Sequence, residues 1–228
     1  MKERVGSAYI IIAACLWGMI GMFVRGINVA GLSSMQIVAL RAVGATVILF
    51  LYMVLLKRDK LRIKLGDIWI FLGTGIGSMV FFNFCYFGSI NRTSLAVAAA
   101  LLYTAPAFVA VLAKIFLKER IASSQVISII IVIVGCAMTS GIFTLGVNLD
   151  ILGLLLGIGS GFGYAMYSIF GKVAIKRGYT DETITFYTFL FAMFATIWTL
   201  GESDVIITSF SWKLAGAVFG LIVFSTVM

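Results

Sequence analysis

Residues 34–56 read SMQIVALRAVGATVILFLYMVLL, and residues 57–64 continue as KRDKLRIK. The first stretch is long and apolar enough for a helix that crosses a hydrocarbon layer ~30 Å thick, which needs roughly 20 residues. The second stretch is strongly cationic, as the cytoplasmic loops of membrane proteins are. Together they predict a membrane-spanning helix that ends at the cytoplasmic surface.

Apolar runs of this kind recur along the whole chain of 228 residues. The chain is 62% hydrophobic and 11% charged, with a mean hydropathy of +1.14, so it has too little polar surface to cover a soluble globule. Backbone groups in lipid must find partners within their own segment, which makes such runs helices. The predicted fold class is an all-α, polytopic membrane helix bundle with eight spans, at 7–25, 34–56, 67–89, 94–117, 122–140, 151–171, 182–201 and 212–228.

The basic residues concentrate in every second loop. Of the 17 lysines and arginines, those predicted on one side are Lys2, Arg4, Lys57, Arg58, Lys60, Arg62, Lys64, Lys114, Lys118, Arg120, Lys172, Lys176 and Arg177. This bias predicts a multi-pass protein of the cytoplasmic membrane with its N-terminus in the cytoplasm. The net charge of +8 therefore indicates a lipid bilayer as partner, and no nucleic acid is expected.

An internal repeat relates the two ends of the chain. A shift of 147 residues places Trp17 on Tyr164 and Gly31 on Gly178. Because five helices are an odd number, the second copy of such a repeat enters the membrane upside down, as in many secondary transporters. We predict a first repeat at 7–140 and a second at 150–228 that lacks its last two helices.

Several short motifs resemble those of one transporter family. They are ACLWG at 14–18, LRA at 40–42, AAALL at 98–102, TAP at 104–106, and GFGYAMY at 161–167, with Glu119, Gln125 and Gly135 at matching spacings. These motifs resemble EamA-type members of the drug/metabolite transporter superfamily. The resemblance implies ten helices in inverted five-helix repeats, and movement of small metabolites or drugs. This chain departs from that pattern by stopping two helices early.

Pro106 is the only proline and lies inside a predicted span. It removes a backbone donor and frees a carbonyl near residue 102. Broken helices of this kind often line transport cavities, and Tyr103 and Thr104 beside it have polar tips. The alternative is a packing kink that contacts no ligand.

Arg41 is the only charge well inside a span, so it should face protein or a wet cavity. It could attract a carboxylate or phosphate of a substrate, or instead snorkel outward or bind carbonyls of a neighbouring helix.

Polar and aromatic side chains share faces on two further spans. Asn83, Tyr86 and Ser89 recur at three-residue steps, and Tyr164 and Tyr167 do likewise. Such faces should point inward, where they contact either substrate or one another. The predicted substrate pathway comprises Trp17, Arg41, Asn83, Tyr86, Tyr103, Thr104, Pro106, Tyr164 and Tyr167.

Other residues are interpreted structurally. Gly153, Gly157 and Gly161 recur every fourth residue, which lets helices approach closely. The candidate helix caps are Ser33 with Gln36 in a capping box, Asp67, Asp181, and Thr93 with Ser94. Cys15, Cys85 and Cys136 fall inside spans and are read as small buried side chains, not as metal ligands or disulfides.

The chain has no histidine, and its nine carboxylates fall in loops or at span ends. It shows no nucleophile–base pair, metal cluster or nucleotide loop, so we expect no enzyme and no cofactor. We expect a secondary carrier for small organic metabolites that works by alternating access, with amino acids first by family analogy and drug-like compounds as an alternative. The other hypothesis is a non-transporting membrane fragment, or a subunit completed by a second copy or another chain.

Overall fold

The computed structural model describes residues 31–119, 121–139 and 150–202, together with 216, 218–220 and 222. The predicted span at 7–25 lies outside the described residues, and the span at 212–228 is described only at those last isolated positions. The described part is helical and contains no strand. Its helices are α1 (Ser34–Leu56), α2 (Ile68–Leu72), α3 (Phe81–Arg92), α4 (Leu95–Leu102), α5 (Ala105–Leu117), α6 (Ser123–Thr139), α7 (Ile151–Lys176) and α8 (Asp181–Thr196).

Among the residues that the structure describes, five helical runs are long and apolar enough to cross a membrane. They are Ser34–Leu56, Leu65–Arg92, Leu95–Leu117, Ile151–Lys176 and Asp181–Gly201. The predicted all-α membrane class is therefore confirmed. The number of eight spans and the inverted repeat stay predictions. The helix α6, predicted as a span at 122–140, has 17 residues.

Helix boundaries follow the predicted caps in two places. The Ser33 hydroxyl accepts from the Gln36 amide, and the Gln36 side chain accepts from the Ser33 amide, which completes the predicted capping box. The Ser94 hydroxyl accepts from the Val97 amide at the start of α4. The prediction for Asp67 is wrong, because its carboxylate makes no capping bond. Asp181 is the first residue of α8.

The run Leu65–Arg92 is not one regular α-helix. Between α2 and α3, the stretch Gly73–Val80 winds as a π-helix, which the sequence pattern did not predict. Such stretches are rare and occur often at functional sites. A Cβ on Gly73 would lie 2.6 Å from the Phe170 ring, so α7 packs directly against this wider stretch.

The chain divides into two compact units. Unit 1 comprises residues 1–61 and 192–228, and within it the Gln36 side-chain amide donates to the Thr199 carbonyl at 3.2 Å. Unit 2 comprises residues 62–191 and is arranged around α7, which packs against α3, α4, α5 and the π-helical stretch.

The predicted repeat has a local counterpart in the backbone. Gly31 and Gly178, which the shift of 147 residues aligns, have φ values of 89° and 90°. These values favour glycine because a Cβ would be strained there. Each glycine precedes a helix whose first residue, Ser34 or Asp181, is aligned by the same shift.

Candidate functional site

The run Leu95–Leu117 is broken in its middle. The helix α4 ends at Leu102, and α5 begins at Ala105 with Pro106 in its first turn. Pro106 has no N–H, so the Leu102 carbonyl loses its normal helical donor. The Thr104 hydroxyl donates to the Leu101 carbonyl at 2.6 Å, and the Thr104 amide donates to the same oxygen at 3.1 Å. The predicted break is thus present at Tyr103 and Thr104.

Glycines on α7 bring that helix against the break. A Cβ on Gly161 would lie 2.6 Å from the Thr104 hydroxyl and 3.2 Å from the Ala105 nitrogen. A Cβ on Gly157 would lie 2.4 Å from the Leu101 side chain. No larger residue fits these positions without movement, because real side chains essentially never approach so closely. The structural interpretation of these glycines is confirmed.

Four predicted pathway tyrosines lie on three neighbouring parts of unit 2, namely α3, the helix break and α7. The Tyr86 ring stacks on Phe82 with centroids 5.6 Å apart, and Phe82 meets Tyr164 edge-on at 6.2 Å. Tyr164 and Tyr167 lie about one turn apart on α7, and Tyr103 lies in the helix break that packs against Gly161 of α7. We call these four tyrosines and Phe82 the tyrosine track. It includes residues of α3, the helix break and α7.

The tyrosine track is open along much of its length. Tyr103 is 57% exposed, Tyr164 43% and Tyr167 39%. The Tyr167 hydroxyl is hydrogen-bonded to the Thr185 side chain on α8. Aromatic rings and hydroxyl groups are therefore exposed at these three positions of unit 2.

The polar side chains between α3 and α7 are buried. The Asn83 side-chain amide donates to the Met79 carbonyl of its own helix at 2.7 Å. The Ser89 hydroxyl is fully buried and has no hydrogen-bond partner among the described residues. It lies near Gly157, whose added Cβ would approach it to 2.9 Å. The predicted face of Asn83, Tyr86 and Ser89 thus points inward at Asn83 and Ser89, while Tyr86 is only partly buried.

The remaining predicted residues are distributed differently. Arg41 lies on α1 in unit 1, partly buried beside the buried face that contains Val38, Ala42 and Ala45. Trp17 lies outside the described residues. The Pro106 ring is exposed. The structure therefore brings together the four tyrosines and Thr104, and it does not test which of the predicted residues contact substrate.

Sequence reasoning missed a polar cluster at Asp67. Asp67 is buried, and its carboxylate pairs with Arg177 and accepts from the Tyr179 hydroxyl at 2.7 Å. The assignment of Asp67 as a helix cap was wrong because these two partners, 110 and 112 residues away, occupy its oxygens. The sequence signal was an acidic residue at a span end in a strongly basic region. Burial raises the pKa of the Tyr179 hydroxyl.

Two exposed ion pairs lie at opposite ends of α7. Near its start, Arg92 pairs with Asp150 at 2.9 Å, and the Asp150 carboxylate also caps the helix through the amides of Leu152 and Gly153. Near its end, Lys172 lies 2.8 Å from Glu119. The hydrogen bond from the basic partner holds the pKa of each carboxyl below its usual value.

Comparison with known proteins identifies a family. The model of the EamA-like transporter family matches residues 4–141. A transporter from Archaeoglobus fulgidus, described only as uncharacterized, is 32% identical over 170 residues, which are 74% of this chain and 58% of the relative. A second uncharacterized transporter from the same organism is 30% identical over 188 residues, 81% of this chain and 62% of the relative. This chain thus matches only about three fifths of the length of either relative. No solved structure matches.

Proposed function

Because the chain belongs to the EamA-like transporter family, we propose that it is a secondary carrier that moves small organic metabolites across the cytoplasmic membrane by alternating access. Amino acids are the first candidate substrates and drug-like compounds the second. We assign it no enzymatic role. The proposed partners are the lipid bilayer, the small-molecule substrate, and a second copy of this chain or another chain.

The helix break beside the tyrosine track carries this proposal. In lipid, a backbone carbonyl without its donor is costly, and such irregular backbone is tolerated where it is buried in protein or lines a water-filled cavity. The break at Tyr103 and Thr104 packs on Gly161 on one side, while Tyr103 is 57% exposed. A surface that combines a freed carbonyl, tyrosine hydroxyls and aromatic faces suits a small molecule with both apolar and polar parts.

The placement of charge supports an orientation of unit 2 in which the basic end of α7 lies at the cytoplasmic side of the membrane. In unit 2, Glu119 pairs with Lys172 and Asp67 pairs with Arg177 at one end of α7, and three further bases, Lys64, Lys118 and Lys176, belong to the same loops and helix ends. We call this the basic end. The positive-inside rule assigns it to the cytoplasm.

Substrate flux in vesicles tests the pathway. Full-length protein carrying Tyr103→Ala, Tyr167→Ala or Asn83→Ala is reconstituted, and uptake of labelled amino acids is measured against wild type. Phe84→Ala is the matched control, since Phe84 is 58% exposed on α3 and does not belong to the tyrosine track. We expect reduced flux in the pathway variants and unchanged flux in the control. Normal flux in all three pathway variants would contradict the assignment.

Arg41 is tested separately, because it has two interpretations. Arg41→Lys and Arg41→Gln are compared with wild type for folding yield and for flux per folded molecule. Loss of flux in a well-folded Arg41→Gln variant supports contact with an anionic group of the substrate. Loss of yield with normal flux per folded molecule supports a structural role.

A further inference from the structure

Three side chains form a polar cap at the basic end of unit 2. The Asp67 carboxylate binds Arg177 and the Tyr179 hydroxyl, and that hydroxyl also accepts from the Lys64 amide at 3.1 Å. The Arg177 guanidinium lies 5.6 Å from the centre of the Trp69 ring. The polar cap of Asp67, Arg177 and Tyr179 thus joins the start of the run Leu65–Arg92 to the end of α7.

An apolar layer lies directly beneath the polar cap. Ile70, Phe71 and Ala174 are fully buried, and Ile184 is 4% exposed. We call these four residues the apolar plug. The Phe71 ring contacts the Tyr179 ring at 5.2 Å, so the plug and the cap are continuous.

A buried polar pair lies on the other side of the apolar plug. The Thr188 hydroxyl on α8 donates to the Thr74 hydroxyl at 2.8 Å, and Thr74 donates to the Phe71 carbonyl. Both threonines are buried, with Thr74 fully so. Asp67, Phe71 and Thr74 are separated by four and three residues, so they lie on the same face of the helical run. The polar cap, the apolar plug and the threonine pair therefore follow one another along this face.

The polar cap, the apolar plug and the threonine pair follow one another and close unit 2 at the basic end. We propose that the polar cap and the apolar plug form the gate on that side, and that Arg177 and Tyr179 must leave Asp67 when the carrier opens there. Removing the partner of a buried charge is strongly destabilising, so opening requires Asp67 to meet water or new partners as Arg177 and Tyr179 leave it. Arg177 is suited to such a movement because its side chain is 46% exposed, whereas that of Asp67 is 6% exposed. The inference rests on the proposed carrier function.

Labelling of a cysteine behind the plug tests the gate. Cys15, Cys85 and Cys136 are replaced by alanine in the full-length protein, and Thr74→Cys is introduced. A membrane-impermeant thiol reagent is then applied from each side of the membrane separately. In Asp67→Asn and in Tyr179→Phe we expect labelling from the basic side to rise at least about tenfold. Asp67→Asn removes the charge that holds Arg177, and Tyr179→Phe removes a hydrogen bond to the Asp67 carboxylate. Tyr179→Phe keeps the ring contact with Phe71, and it still tests the gate if Asp67→Asn fails to fold.

Arg92→Gln is the matched control, because it breaks the ion pair at the opposite end of α7. We expect it to leave labelling from the basic side within about twofold of the parent. Unchanged labelling in folded Tyr179→Phe would overturn the gate, as would an equal rise in Arg92→Gln, which would indicate general loosening. Labelling needs no substrate, so its result is independent of the flux assay that tests the carrier function.

Discussion

Gly161 offers the sharpest test of how α7 is seated against the helix break. An alanine at this position would place its Cβ 2.6 Å from the Thr104 hydroxyl, 3.2 Å from the Ala105 nitrogen and 3.3 Å from the Leu101 carbonyl oxygen. Two of these three atoms are backbone, so the strain cannot be relieved by rotating one side chain. We expect Gly161→Ala to separate α7 from the break.

The magnitude follows from two opposing effects. Overpacking of a well-packed interior costs about 1–3 kcal/mol, while replacing glycine by alanine inside a helix returns up to ~1 kcal/mol. The helix gain is the same for any glycine-to-alanine change in a helix, so relative to such a change without a close contact the expected loss in the free energy of unfolding is about 1–3 kcal/mol. At roughly 2–4 °C per kcal/mol for a chain of this size, the unfolding midpoint should fall by several degrees.

The assay is thermal unfolding of purified protein in detergent, followed by intrinsic tryptophan fluorescence. Gly171→Ala is the matched control on the same helix, since its added Cβ meets nothing within 4 Å. We expect this control to be as stable as wild type or more stable. In a Thr104→Ala background the penalty of Gly161→Ala should shrink, because the nearest of the three contacts is gone. A Gly161→Ala variant as stable as the Gly171→Ala variant would refute the close approach of α7 to the break.

Three further outcomes follow from the described contacts. Ser33→Ala should lower the free energy of unfolding by about 0.5–2 kcal/mol through loss of the capping box, measured by thermal unfolding. Asp150→Ala should destabilise more than Arg92→Gln, because it removes both a helix cap and an ion pair whereas Arg92→Gln removes only the pair; equal losses would contradict the capping role. Since the hydrogen bond from Lys172 lowers the pKa of Glu119, this pair stabilises the fold above the normal carboxyl pKa and loses its effect as the pH falls through the lowered pKa. Unfolding midpoints measured across acidic pH should therefore depend less on pH in Lys172→Gln than in wild type.

Local features of the chain were predictable because they depend on neighbouring residues. The capping box at Ser33 and Gln36 requires only a spacing of three residues, and the break at Pro106 requires only a missing N–H. The long apolar runs were predictable as helices from their composition, because backbone N–H and C=O groups in lipid must form hydrogen bonds within their own segment.

For other features, the sequence predicted the type of helix face but not the residues that this face contacts. Spacing showed that Gly157 and Gly161 form a small-residue face, but it did not show that this face meets Leu101 and Thr104. Periodicity placed Tyr86 on an inward face of its helix, where it stacks on Phe82 one turn away. The contact of Phe82 with Tyr164 depends on how α3 packs against α7. The π-helical stretch Gly73–Val80 was not predicted, and neither was its packing against Phe170 of α7 at Gly73.

By itself the sequence determined the membrane class, the positions of the five long apolar runs in the described residues, the caps at Ser33 and Ser94, and the break at Pro106. Each of these depends on interactions within a few residues or with the lipid. Only the tertiary structure decided the environment of Asp67, which local rules assigned to a helix end. Its partners Arg177 and Tyr179 are more than a hundred residues away, and a carboxylate removed from water takes whichever cation and hydroxyl the fold brings to it.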